Sequence, residues 1–315
     1  PVLVVTATAR EAEDLVAELQ AMLGDKVAMF PAWETLPHER LSPGVDIVGN
    51  RKKVLANLDE YSVVVTPARG FSQPVLPDAQ SLTVKVDEDH ELNELVDTLV
   101  HFAYSHVDMV AKRGEFAVRG GILDVYPTTA EYPVRIEFWG DEVTDIRQFS
   151  IADQRALPDA DLKAVDIFPA RELLIDDTIA GRAANLVTAN NPTLVEILDK
   201  ISQRQYVDGM EALIPLLGGQ QTSLSALMKD AITLVVAPEK VRRRIEDLIT
   251  TDAEFLAAGW EAAAMGAAGP IAVKEQSFWT YQELEDITDK LWTLSPPGMM
   301  QGGDGLELDF DHAPA

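Results

Sequence analysis

With 315 residues, 47% of them hydrophobic, the chain is long for one domain and apolar enough for more than one core. It has no cysteine, which excludes disulfides, thiolate-held zinc, iron–sulfur clusters and thiol catalysis; its five histidines show no HExxH-like spacing, so no metal site is expected. The formal net charge of −26 opposes any role built on bulk phosphate contacts.

In chain order, "VLVVT" (2–6) is a short buried strand, and the opening "PVLVVTATA" looks like a strand already under way, as in a fragment. "AREAEDLVAELQAML" follows at helical spacing, with Gly24 as its stop. Next come the strand "KVAMF", a proline-stiffened loop "PAWETLPHERLSPG", the helix "DIVGNRKKVLANL" and the buried strand "SVVVTPA" at 62–68. Alternating buried strands and helices predict a parallel sheet covered on both faces. From 81 to 166 the pattern changes to alternating strands and frequent turns: "SLTVKV", "GEFAVRGGILDVYP", "PVRIEFWGDEVTDIRQF" and "AVDIFP", with one helix, "ELNELVDTLVHFAYS". This predicts a small, mainly antiparallel α+β unit with one sheet face toward solvent. Helical patterns return at 177–189, 193–203 and 222–229, followed by a strand at 232–237 and a helix at 239–258.

The expected class is α/β, a parallel-sheet domain interrupted by an antiparallel α+β insert. Its boundaries are 1–80, 81–166 and 167–294, with 295–315 as a Pro/Gly-rich, acidic linker or tail. No run approaches the ~18 apolar residues of a membrane span and no leader pattern opens the chain, so no membrane contact and a cytoplasmic location are expected.

Catalytic motifs are missing. No Gly-Lys pair occurs, so GxxxxGK[ST] is absent; the 62–68 strand ends in "TPARG", without paired acids for magnesium. There is no GxSxG elbow. Glu34 and Glu39 fit helix-capping acids better than an acid/base pair, and Trp33 and Leu36 are expected to tuck under their loop. Arg242–Arg244 fit a solvated helix face.

The insert carries the informative pattern. In "PVRIEFWG" alternation puts Val134, Ile136 and Phe138 on one face and Arg135, Glu137 and Trp139 on the other. Arg and Trp are the residues enriched at interface hot spots. The alternative is that Arg135 pairs with Glu137 or Glu142 and Trp139 caps the sheet edge. In "FAVRGGIL", Arg119 points the same way as Arg135. Gly120-Gly121 fits a two-residue hairpin or a bulge; the bulge is preferred, as a device that re-aims Arg119 and lets a partner backbone approach.

"GEFAVRGGILDVYP…PVRIEFWGDEVTDIRQF" resembles the damage-recognition module shared by the nucleotide-excision-repair helicase UvrB and the transcription-repair coupling factors. "FPAWETLPHERLSP" is similar to the coupling factors' FPxWExLPxERxSP loop. The resemblance covers nearly the whole chain, most specifically 30–70 and 113–150. It implies an N-terminal, UvrB-like helicase-type domain that is itself non-catalytic, with an insert that docks the excinuclease component UvrA. It also implies that Arg119, Arg135 and Trp139 make the contact, with Gly120, Gly121 and Glu137 as secondary candidates. No cofactor is expected here. ATP and magnesium would serve a translocase motor further along the full protein, with RNA polymerase and DNA bound by later domains and the docking face masked by the protein's own C-terminal region. The rival readings are a truncated ATP-dependent helicase, the excinuclease component UvrB, whose nucleotide site lies outside the chain, and an acidic DNA mimic.

Overall fold

The computed structural model describes residues 1–187, 192–218, 220–266, 269–271 and 277–295; the expected tail lies, from residue 296 on, outside them. The chain starts with β1 (Val2–Thr6), α1 (Ala9–Leu23), β2 (Val27–Met29), α2 (Val45–Ala56), β3 (Val63–Pro67) and the short α3 (Ala68–Ser72). Thr8 caps α1 in a capping box with Glu11, which satisfies two otherwise orphaned backbone donors, and Gly24 ends the helix at φ +59°.

The insert follows as β4 (Leu82–Lys85), α4 (Leu92–His101), β5 (Ser105–His106), β6 (Glu115–Val118), β7 (Ile122–Val125), β8 (Val134–Trp139), β9 (Glu142–Phe149), β10 (Ala156–Asp161) and β11 (Ala164–Ile167). The return path holds α5 (Asp177–Val187), α6 (Pro192–Ser202), α7 (Ile214–Leu217), α8 (Leu224–Leu227), β12 (Ile232–Val236), α9 (Pro238–Ala264), α10 (Tyr281–Ile287) and β13 (Leu291–Leu294).

Strands from the two ends of the chain build one parallel sheet, ordered β13-β12-β1-β3-β2. Its valine-rich central strands are buried on both faces. One face packs Val4 and Val65 on Ala12 and Val16 of α1; the other packs Leu3, Val5 and Val64 on Val241 and Ile245 of α9. That two-sided burial is why these strands read as continuous apolar runs. Between α5 and α8 the chain forms a helical cluster with its own core, around Ile179, Ile201, Leu213 and Leu217, closed by Trp33 of the first segment.

The insert contains a six-stranded sheet, ordered β10-β9-β8-β7-β6-β5, antiparallel apart from the short β5–β6 pair. Its entry and exit strands, β4 and β11, pair only with each other as a separate ribbon. Leu95 and Leu99 of α4 cover one face of the large sheet against Phe116, Leu123, Val134 and Ile136. α2 runs close beside the insert: a Cβ on Gly49 would overlap the Thr128 side chain.

The preferred bulge at Gly120-Gly121 is corrected. Arg119 and Ile122 exchange both backbone hydrogen bonds (2.9 and 3.2 Å), which closes a two-residue hairpin loop. Gly120 has φ +62° while Gly121 does not share it, the pattern of a II′ turn, whose twist matches that of the flanking strands. Nor does Gly121 leave space for a partner's backbone: its own neighbour β8 fills it, with Phe138 O 3.1 Å from the position of a Cβ. The ladder irregularity sits elsewhere, on β9, where Thr144 is the extra residue between the pairs Glu137–Asp145 and Phe138–Val143.

Candidate functional site

Register places the three expected residues on one face. Arg119 opposes Ile122 across the hairpin, Ile122 opposes Glu137, and Asp124 opposes Arg135, which opposes Arg147. Residues directly opposite share a face, so Arg119, Ile122, Glu137 and Asp145 make one row, and Ala117, Asp124, Arg135 and Arg147 the next. Trp139 continues the Arg135–Glu137 side at the tip of β8, roughly 13 Å from Arg135 along the strand.

Only part of this face is open. Val107 and Val110, in the segment after β5, pack on Ala117, Tyr126 and Phe149 and cover its lower end. At the other end Trp139 is 80% exposed and borders a depression lined by Asp89, His90, Glu91, Glu94, Asp141 and Glu142. Arg119 is exposed, and its Nη2 donates to the Asp108 carbonyl at 2.5 Å. Glu137 is half-buried beside them.

Arg135 stands on the border between covered and open ground. Its Nε and Nη2 donate to the two oxygens of Asp124 at 2.7 and 2.8 Å, and its guanidinium lies 5.0 Å from the Phe149 ring centre. Asp124 is 2% exposed, the Arg135 side chain 22%. The hydrogen-bonded Asp124 carboxylate holds the guanidinium above its ordinary pKa, outweighing desolvation. The partner is thus neither Glu137 nor Glu142, the two acids that the alternative reading named. Asp124 wins because it sits directly opposite Arg135 on the neighbouring strand and is shielded from water. Arg147, next in the row, is paired with Asp145.

Sequence reasoning missed Asp124, Phe149 and Arg147. The available signal was "ILDVYP": a lone acid in an apolar strand, on the face where alternation had already put Arg135.

Other candidate sites resolve differently. Glu34 accepts from the Gly44 N–H that opens α2 (2.6 Å), and Glu39 accepts from Leu36 N–H (2.8 Å), so both cap backbone. Trp33 is buried and donates through Nε1 to Glu172 at 2.8 Å. That carboxylate also accepts from Arg51 Nε at 2.5 Å and lies 3.5 Å from Lys52 Nζ. Burial alone would raise the Glu172 pKa, but Arg51, Lys52 and Trp33 together hold it below the ordinary carboxylate range. A cavity of about 490 Å³ lined by Trp33, Gln73, Glu211, Phe278 and Trp279, among others, lies away from the insert, with no Lys or Arg among its described lining residues. No group of acidic or histidine side chains fit for a metal occurs among the described residues, and no helix there is long and apolar enough to cross a membrane.

Residues 82–173, which include the insert and run six residues past β11, match the UvrB interaction domain. The whole chain is 43% identical to a transcription-repair-coupling factor of Mycobacterium bovis, aligned to 28% of that protein's length. The chain belongs to the transcription-repair-coupling factor family. Further relatives of the same description come from Myxococcus xanthus, 34% identical over 68% of this chain and 20% of the relative. The Escherichia coli relative is 31% identical over 56% of the chain and 16% of its own length. The chain thus spans less than a third of the relatives it matches. The relatives' own descriptions name factors that couple transcription to repair.

Proposed function

We propose that this chain is a non-catalytic recruitment region that docks UvrA through the open end of the insert's six-stranded sheet. The observation that carries the reading is a large apolar ring, Trp139, left 80% exposed on the same face as Arg119 and Arg135. Trp and Arg are the residue types enriched at interface hot spots, supplying apolar area and charge-assisted hydrogen bonds. The match to a UvrB interaction domain supports UvrA as the partner.

The parallel sheet is the helicase-like, UvrB-like frame in this reading, with no nucleotide at its β1–α1 turn. A phosphate there would need free N–H groups at the helix N-terminus. Glu11 Oε2 already takes the Thr8 N–H at 2.9 Å, and the turn has no Gly-Lys pair. ATP-driven DNA translocation, RNA polymerase contact and masking by a C-terminal region belong to the full-length protein in the same proposal, in a cytoplasmic setting.

The test is calorimetric titration of purified UvrA with wild type, Arg119→Ala and Trp139→Ala. Both side chains are exposed, so melting temperatures should stay within about 2 °C, as surface changes usually cost under ~0.5 kcal/mol. Trp139→Ala should lose about 2 kcal/mol of binding or more, close to thirtyfold. Wild-type affinity in both variants, and in a folded Arg135→Ala protein, would refute the assignment.

A further inference from the structure

Arg135 has two hydrogen-bonding edges, and only one is well filled. The side-on edge, Nε and Nη2, is filled by the two oxygens of Asp124 at 2.7 and 2.8 Å. The end-on edge, Nη1 with the outer hydrogen of Nη2, points away from Asp124. The acceptor beside it is the Gln154 carbonyl, 3.5 Å from Nη1, too long for a strong bond. Phe149 supports the guanidinium plane from below. The carboxylate of Asp124 is 2% exposed and cannot itself reach a partner.

We infer that Asp124 is a positioning residue for docking: it clamps Arg135 side-on, so that the guanidinium offers its end-on edge to a carboxylate of the partner. The inference rests on the docking face proposed above and names the chemistry it recognises, an Asp or Glu side chain. Only a guanidinium can do this. Its rigid fork serves two carboxylates at once, one from within the fold and one from outside, while an ammonium is a point charge with no second planar edge. An unclamped arginine side chain would also have to be immobilised on binding, at a cost in rotamer freedom that Asp124 has already met during folding.

Two effects of removing the Asp124 charge oppose each other. Freeing Arg135 from an internal competitor favours binding; losing its fixed orientation disfavours it. Orientation should dominate, because a partner carboxylate gains a bidentate contact only when the plane is held, and because Asn at 124 still accepts one hydrogen bond and so still competes.

The experiment measures UvrA affinity for Asp124→Asn, Arg135→Lys, Arg135→Ala and the double variant Asp124→Asn/Arg135→Ala, each first checked for a cooperative melt. Arg135→Lys keeps a cation beside Asp124 and serves as the second probe if Asp124→Asn folds poorly. Expected are a fivefold or greater loss in both Asp124→Asn and Arg135→Lys. The Asp124 effect should vanish when Arg135 is already Ala, which a general loosening of the sheet would not produce. If Arg135→Ala weakens binding but Asp124→Asn and Arg135→Lys bind like wild type or tighter, the positioning role is overturned while the docking face stands. A loss from Asp124→Asn that persists undiminished in the Arg135→Ala background also overturns it. If Arg119→Ala, Trp139→Ala and Arg135→Ala all bind like wild type, the docking face itself is wrong.

Discussion

Trp139 and Arg135 sit four residues apart on one strand, yet they call for different handling. The indole is exposed, so its loss changes the surface alone. Arg135 neutralises a buried carboxylate, so Arg135→Ala leaves Asp124 charged and unpaired, a change that typically costs about 3–5 kcal/mol of stability. Binding data on that variant therefore need a melt beside them. The same reasoning applies more strongly to Glu172, which compensates two fully buried cations, Arg51 and Lys52. Glu172→Gln should destabilise by about 3–5 kcal/mol in a denaturant titration. Because the folded carboxyl is held below its ordinary pKa, its contribution is fully present above the unfolded value of about 4.3. It is lost as pH falls through the depressed folded value. Wild type should thus lose stability in that acidic window, and Glu172→Gln should lose less there. Identical pH profiles would contradict the assignment.

At the scale of elements, the central strands of both sheets were legible because burial writes itself into the sequence in two forms, whereas the edge strands β5, β10 and β13, short or largely exposed, were not. Parallel strands buried on both sides gave unbroken valine runs at 2–6 and 63–67, and β8 gave strict alternation. The hairpin at Gly120-Gly121 was not, since a glycine pair between two strands fits a turn or a bulge equally until pairing is seen. Its left-handed Gly120 makes Gly120→Ala cost about 1 kcal/mol, readable as a small fall in melting temperature. The buried Arg51-Lys52 pair in α2 was also hidden: a basic run on a helix usually faces water, and its partner Glu172 lies 121 residues from Arg51. α2 carries a further packing constraint at Gly49. Alanine there would gain up to about 1 kcal/mol of helix propensity but clash with Thr128, and overpacking of a tight contact costs about 1–3 kcal/mol. Gly49→Ala should be net destabilising in denaturant; a stabilised variant would show that α2 and the insert can separate freely.

For the molecule as a whole, charge favours the proposed protein partner over nucleic acid. With a net charge of −26, the chain should fail to retain duplex DNA at about 0.15 M salt, where even non-specific DNA binders reach Kd values of about 10⁻⁴ to 10⁻⁶ M. Low-micromolar retention would favour a direct DNA role. On the arginine-and-tryptophan face, Arg135 and Arg147 are paired with Asp124 and Asp145, and Trp139 borders an acidic depression. The face is carried by a module whose entry and exit strands pair with each other. The most direct measurement is hydrogen exchange on this chain with and without purified UvrA. New protection should appear at the open hairpin ends, residues 119–122 and 137–145, with α9 and the cavity around Trp279 unchanged. Protection confined to those other regions, with the two hairpin ends exchanging as in the free chain, would contradict the account.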